Sequence, residues 1–173
     1  MKPPAVLNAI FYGLITFAAV MVLFGIFRSR ENITRPGPET VRQVAVASPL
    51  VSSEPFFDFG NISMAAGKVS HRFRIRNAGE SAVTVTKMYT SCMCTDATLI
   101  TPSGRKGPFG MPGHGANPGI FESIAPGGGA QVEVVFDPAA HGPAGIGPTD
   151  RIVTIRTNET PPLELRFVAM VKP

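Results

Sequence analysis

Three observations predict an all-β chain, a two-sheet sandwich of about seven strands behind one membrane-spanning helix. Apolar residues past residue 54 recur with period two, and 18 glycines and 17 prolines without a tryptophan suit a turn-rich β protein. The third is an almost uninterrupted apolar segment near the amino terminus.

That segment, Val6–Phe27, is broken by Asn8, Tyr12, Gly13 and Thr16, and by a second glycine, Gly25. Its length of about 20 residues matches the hydrocarbon thickness of a bilayer, so residues 6–27 are read as a transmembrane helix behind a short tail, 1–5. A cleaved signal peptide would have an apolar region of about 7–15 residues with a small-x-small site close behind. Here Phe27-Arg28-Ser29-Arg30 follows instead, and Ala45-Val46-Ala47 lies far downstream. Ala9 and Gly13 form a small-x-x-x-small pair of the kind that lets helices pack closely in lipid. Residues 28–53, with Pro36, Pro38 and Pro49 and no sustained period, read as a linker.

Most of the net charge of +4 belongs to this anchor region, because residues 50–173 carry eleven Lys/Arg against ten Asp/Glu. No clustered basic face or recognisable module supports nucleic-acid binding. Arg72, Arg74 and Arg76 share one side of a strand, which reads first as a solvated outer face and second as a surface for a protein partner.

Residues 54–173 hold the sandwich. Val69, His71, Phe73 and Ile75 alternate with Ser70, Arg72, Arg74 and Arg76, and Leu163, Leu165, Phe167, Ala169 and Val171 alternate with Glu164, Arg166, Val168 and Met170. Val83 and Val85, Val132, Val134 and Phe136, and Val153 and Ile155 supply further apolar faces. Asn77-Ala78-Gly79-Glu80 and Asp137-Pro138 supply turns. Residues 101–129 contain nine glycines and five prolines and are read as an insertion unable to form core. Its Phe109, Met111 and His114 are candidate partner contacts.

The runs Phe57-Asp58-Phe59-Gly60-Asn61-Ile62, Val69–Gly79, Cys92-Met93-Cys94-Thr95, Ile124–Gly128, Val134–Pro138 and Arg156-Thr157-Asn158 resemble a bacterial immunoglobulin-like domain of unknown function, akin to the ASPM/SPD-2/Hydin type. The resemblance covers roughly residues 54–172. It implies an immunoglobulin-like seven-stranded β-sandwich with one N-terminal transmembrane helix, placed on the periplasmic side of a bacterial inner membrane. Arg28, Arg30 and Arg35 against Lys2 favour the opposite orientation. The extracytoplasmic placement is adopted, because so small a charge difference is a weak determinant for a short-tailed span.

Cys92 and Cys94 would point the same way on an extended strand, with Cα atoms about 6.6 Å apart, so a disulfide between them requires a local turn. Thiolates and thioethers select Cu(I), which makes Cys92, Cys94, Met88, Met111 and His114 a candidate copper set. A closed zinc site wants four ligands, and only His114 or His71 is at hand to join the thiols. Cys92 with His71, His114 or His141 would be a nucleophile and base, but no local motif supports any such pairing. There is no phosphate-binding loop and no His-Glu-x-x-His, so an enzyme is not expected and no cofactor is assigned.

The leading expectation is therefore a membrane-anchored extracytoplasmic module that binds or scaffolds other envelope proteins as an accessory subunit of a membrane complex. The alternative is a copper-binding or thiol-redox protein using Cys92 and Cys94. Anchoring predicts that the protein resists carbonate extraction and that protease added outside spheroplasts digests its globular part. Protection from protease would mean that the arginine count sets the topology.

Overall fold

Ten strands in two five-stranded sheets, three strands more than the periodicity predicts, form the sandwich in the computed structural model, which describes residues 17–18, 20–21, 48–114 and 117–173. The strands are β1 (Leu50–Ser52), β2 (Phe56–Ser63), β3 (Val69–Asn77), β4 (Val83–Thr90), β5 (Thr95–Thr101), β6 (Gly104–Phe109), β7 (Glu122–Ile124), β8 (Gly129–Phe136), β9 (Gly147–Thr157) and β10 (Leu163–Lys172). One sheet has the order β1-β3-β8-β5-β6 and the other β2-β10-β9-β4-β7. β2 runs parallel to β10, and the other ladders are antiparallel.

The chain divides into two units, Met1–Gln43 and Val44–Pro173. In the first, residues 17–18 and 20–21 are helical and their side chains exposed. The predicted span Val6–Phe27 otherwise lies outside the described residues. Among the described residues no helix is long and apolar enough to cross a membrane.

Period two decides which side of each strand is buried. Phe73 and Ile75 of β3, Val132, Val134 and Phe136 of β8, and Leu165, Phe167 and Val171 of β10 face the core, whereas Arg72, Arg74 and Arg76 face out. On that outer face Arg72 lies in register with Glu133 and holds it at 2.7 Å, and Arg105 contacts the same carboxylate. Hydrogen bonds from Arg105 and then Arg72 keep the Glu133 carboxyl below its usual range. Such exposed pairs add little stability, and they occupy Arg72 within the domain. Arg76 likewise donates to the Gly127 carbonyl at 3.3 Å.

Three expectations are corrected. The linker assigned to residues 28–53 ends too late, since β1 pairs with β3 and fully buries Leu50. The segment 101–129 does form core: it contains β6 and β7 and buries Phe109, Ile120 and Ile124. Phe109, at 0% exposure, is thus a packing residue and not a partner contact. The reason is local. Gly107 takes φ +119°, and a Cβ there would sit 2.9 Å from the Phe109 ring and 3.0 Å from the Ala97 carbonyl. The missing side chain lets β6 close on β5 and fold Phe109 inward. High glycine content marked tight chain paths here, and period two was hidden because the strands are short and irregular.

Burial also acts on His71. Its ring stacks on Phe57 at 3.6 Å and meets Phe73 edge-on at 4.6 Å. Desolvation lowers its pKa from the ordinary 6.5, with the Glu54 charge opposing. The folded state then binds this proton less readily than the unfolded chain, so the stability contribution is complete above 6.5 and is lost as pH falls below it. The urea midpoint of the wild type should fall between about pH 7.5 and about pH 5.5, with a smaller fall in His71→Phe. Equal falls would remove His71 as the cause.

Truncation of Phe109 to alanine should cost about 3–5 kcal/mol, as for other buried aromatics, against less than about 0.5 kcal/mol for Arg74→Ala. Thermal unfolding of the two variants measures the difference, and a similar loss in both would contradict the burial of the insertion.

Candidate functional site

Two chain crossings between the sheets meet at one end of the sandwich. The chain leaves β4 in one sheet and enters β5 in the other through Ser91-Cys92-Met93-Cys94, and it returns from β8 to β9 through residues 137–146. Thr95, the first residue of β5, lies in register with Phe136, the last of β8, which brings the crossings together. β6 runs back beside β5 and delivers Met111 and His114 to the same end.

The Cys-Met-Cys segment is therefore a turn and not a strand. Ser91 extends the β4–β9 ladder through its backbone N–H to the Ile152 carbonyl and through its hydroxyl oxygen, which accepts from the Ile152 N–H, each at 2.9 Å. The buried Thr90 hydroxyl lies 2.9 Å from the carbonyl oxygens of both Cys92 and Thr95. The Cys92 carbonyl also accepts from the Thr95 N–H at 3.2 Å, and the Cys94 carbonyl accepts from the Asp137 N–H at 2.8 Å. The turn is thereby tied to both crossings. It draws the cysteine Cα atoms to 5.3 Å, and Cys92 and Cys94 are joined as a disulfide.

Each sulfur has a cationic or basic neighbour. His141 Nε2 is 3.2 Å from Cys92 Sγ, and Arg151 Nε donates to Cys94 Sγ at 3.2 Å. The Thr95 hydroxyl is 3.6 Å from Cys94 Sγ, and the Cys94 N–H donates to Cys92 Sγ at 3.3 Å. His141 is set by the second crossing, where Asp137 caps its own turn by accepting from the Ala139 N–H at 2.9 Å. Gly145 then approaches closely: a Cβ there would lie 3.3 Å from the Pro138 carbonyl and 3.4 Å from His141 Cβ.

Ser91, Cys92, Met93, Met111, His114, His141 and Arg151 line an open cavity of about 410 Å³. Of the residues expected at a copper site, Cys92, Met111 and His114 line this cavity, and Cys94 is bonded to Cys92 behind it. Met88 does not line the cavity. It is buried in β4, whose regular pairing ends at Thr90, so the turn at 91–94 separates it from the cysteines. Met93, which a regular strand would turn away, is 52% exposed at the cavity because the segment is a turn. The ligand atoms of Cys92, Cys94 and His141 lie within 4.8 Å of one another.

Sequence reading offered His141 only as one of three possible bases for Cys92, without a motif to choose it, and missed Arg151 altogether. They stand 49 and 57 residues from the sulfurs they contact, and no local spacing announces such pairings. Arg74 and Arg76 remain on the outer sheet face, away from the residues that line the cavity.

Comparisons with known proteins agree with the fold. The profile of a family described as "Protein of unknown function (DUF1573)" matches residues 50–108. No curated protein matches in sequence. A protein of unknown function from Porphyromonas gingivalis W83 superposes with a TM-score of 0.51 at 14% identity, over 74% of this chain and 51% of that one, so the chain spans about half the length of that protein. The ASH/PapD-like domain 7 of human CEP192 gives 0.43 at 12% identity, over 79% and 96%. The Vibrio cholerae VesB protease gives 0.44 at 18% identity, over 71% and 32%. The chain thus carries a two-sheet β-sandwich, and its residues 50–108 match the pattern of a family of unknown function.

Proposed function

We propose that this chain is a membrane-anchored, extracytoplasmic immunoglobulin-like module that engages another envelope protein at the Cys92–Cys94 end and exchanges thiols and disulfides with it. One observation carries the reading: the disulfide lies in a crossing turn at an open cavity, with His141 and Arg151 each 3.2 Å from one of its sulfurs. A stabilising role explains it poorly. A crosslink closing only three residues restrains the unfolded chain by ~1.6 kcal/mol on the chain-entropy estimate, about half the gain from a 15-residue loop. The turn also has its own hydrogen bonds to hold it. A persistent disulfide suits an oxidising compartment, which supports the extracytoplasmic placement.

A second reading is favoured by the donor set. With both thiols reduced, Cys92, Cys94 and His141 would hold Cu(I), with Met111 and His114 in reach of the same cavity. The residues fit the ion, since soft sulfur and imidazole donors prefer it. The metal would bring the chemistry of a transferable soft cation; the chain would bind it and limit its contact with water.

Dithiothreitol should open the disulfide in the folded protein, seen as alkylation of both cysteines with unchanged far-UV and near-UV spectra. Labelling that requires denaturant would defeat the exchange reading. Stoichiometric Cu(I) retained by the reduced protein against a chromogenic Cu(I) chelator, and lost in Cys92→Ser, would move the conclusion to the copper reading.

A further inference from the structure

We infer that the disulfide is polarised: an incoming thiolate from a dithiol protein attacks Cys92, and Cys94 leaves as a thiolate held by Arg151. This deepens, and rests on, the thiol–disulfide reading above.

The two sulfurs differ in access. Cys92 lines the cavity and is 9% exposed, whereas Cys94 is 3% exposed and is not among the lining residues. A thiolate approaching through the cavity therefore meets Cys92 first. They differ also in what surrounds them. Exchange passes charge from the attacking sulfur to the departing one, so the rate depends on how well the leaving thiolate is stabilised. Cys94 Sγ already accepts from the Arg151 N–H at 3.2 Å and lies 3.6 Å from the Thr95 hydroxyl. A guanidinium is charged throughout the working pH range and keeps its fork fixed, so the donor is in place before negative charge arrives. Cys92 Sγ instead faces His141 Nε2 and the Cys94 backbone N–H.

The electron count closes. In the first step the partner's thiolate forms a sulfur–sulfur bond with Cys92, the Cys92–Cys94 bond breaks, and its electron pair stays on Cys94 as thiolate. In the second step the partner's other thiolate attacks its own sulfur in the mixed disulfide and expels Cys92. The partner dithiol is oxidised to a disulfide, this chain is reduced by two electrons, and the two protons released by the partner's thiols are taken up by Cys92 and Cys94.

The partner implied is a protein with a paired dithiol on a protruding segment able to enter a cavity of about 410 Å³. Met93, 52% exposed at that cavity, offers an apolar contact beside the attacked sulfur.

Two measurements test the polarity. In single-cysteine proteins, the aromatic disulfide of thionitrobenzoate should react with Cys92 in Cys94→Ser at least about tenfold faster than with Cys94 in Cys92→Ser, because only Cys92 faces the cavity. Equal or reversed rates would overturn the inference. With glutathione as the attacking thiol on the disulfide-bonded protein, Arg151→Gln should slow opening by about tenfold and Arg151→Lys should restore part of the rate, both with wild-type melting temperatures. An unchanged rate in Arg151→Gln removes the leaving-group role, and the single-cysteine comparison stands independently should that variant fail to fold. Failure of dithiothreitol and glutathione alike to open the wild-type disulfide under native conditions would instead sink the exchange reading as a whole.

Discussion

The buried hydroxyl of Thr90 holds the point on which the working end of this domain depends. A strand that changes sheets must leave one ladder before it joins the other, and for those few residues its carbonyls have no strand partner. An unsatisfied buried carbonyl costs about 1–3 kcal/mol, so the crossing needs a local donor. Thr90 Oγ1, on the last residue of β4, lies 2.9 Å from the Cys92 carbonyl within the crossing and 2.9 Å from the Thr95 carbonyl at the start of β5, and the Thr95 N–H adds a second donor to Cys92. With the backbone bonds to Ile152 and from Asp137, it tightens residues 91–94 into a turn whose cysteine Cα atoms are 5.3 Å apart. On a continuous strand the same pair would stand about 6.6 Å apart.

Once the turn is set, the rest of the site follows from topology. Because β5 begins beside the end of β8, the chain must cross twice at the same end of the sandwich, and the second crossing brings His141 to the first. β9 pairs with β4 and presents Arg151 at the other sulfur. Residues that lie some fifty positions apart in sequence become neighbours through sheet order. Both proposed uses, exchange when oxidised and Cu(I) binding when reduced, would draw on the same two sulfurs.

The glycine- and proline-rich segment has two roles that its composition conceals. Phe109 and Ile120 complete the core, and between them the chain loops out to place Met111 and His114 at the cavity. Phe121, 84% exposed directly after a buried isoleucine, marks how sharply the chain alternates between packing and solvent there. Glycine allows that path because close backbone approaches such as Gly107 against Ala97 leave no room for a side chain.

The sequence by itself determined the class of fold and the inward face of the main strands. A period of two leaves Phe73 and Ile75, Val132 and Val134, and Leu165 and Phe167 no alternative that buries them and solvates their neighbours. It also singled out Cys92 and Cys94 and the need for a turn if they were to bond. Three short strands escaped it, because three or four paired residues make no readable period. Met88 was drawn to the cysteines by strand parity, which ends where β4 gives way to the turn at 91–94. Only the tertiary structure decided that His141 and Arg151 flank the sulfurs and that Phe109 packs inside, because these are contacts between distant segments fixed by which strand lies beside which, and pairing order is a property of the whole sheet.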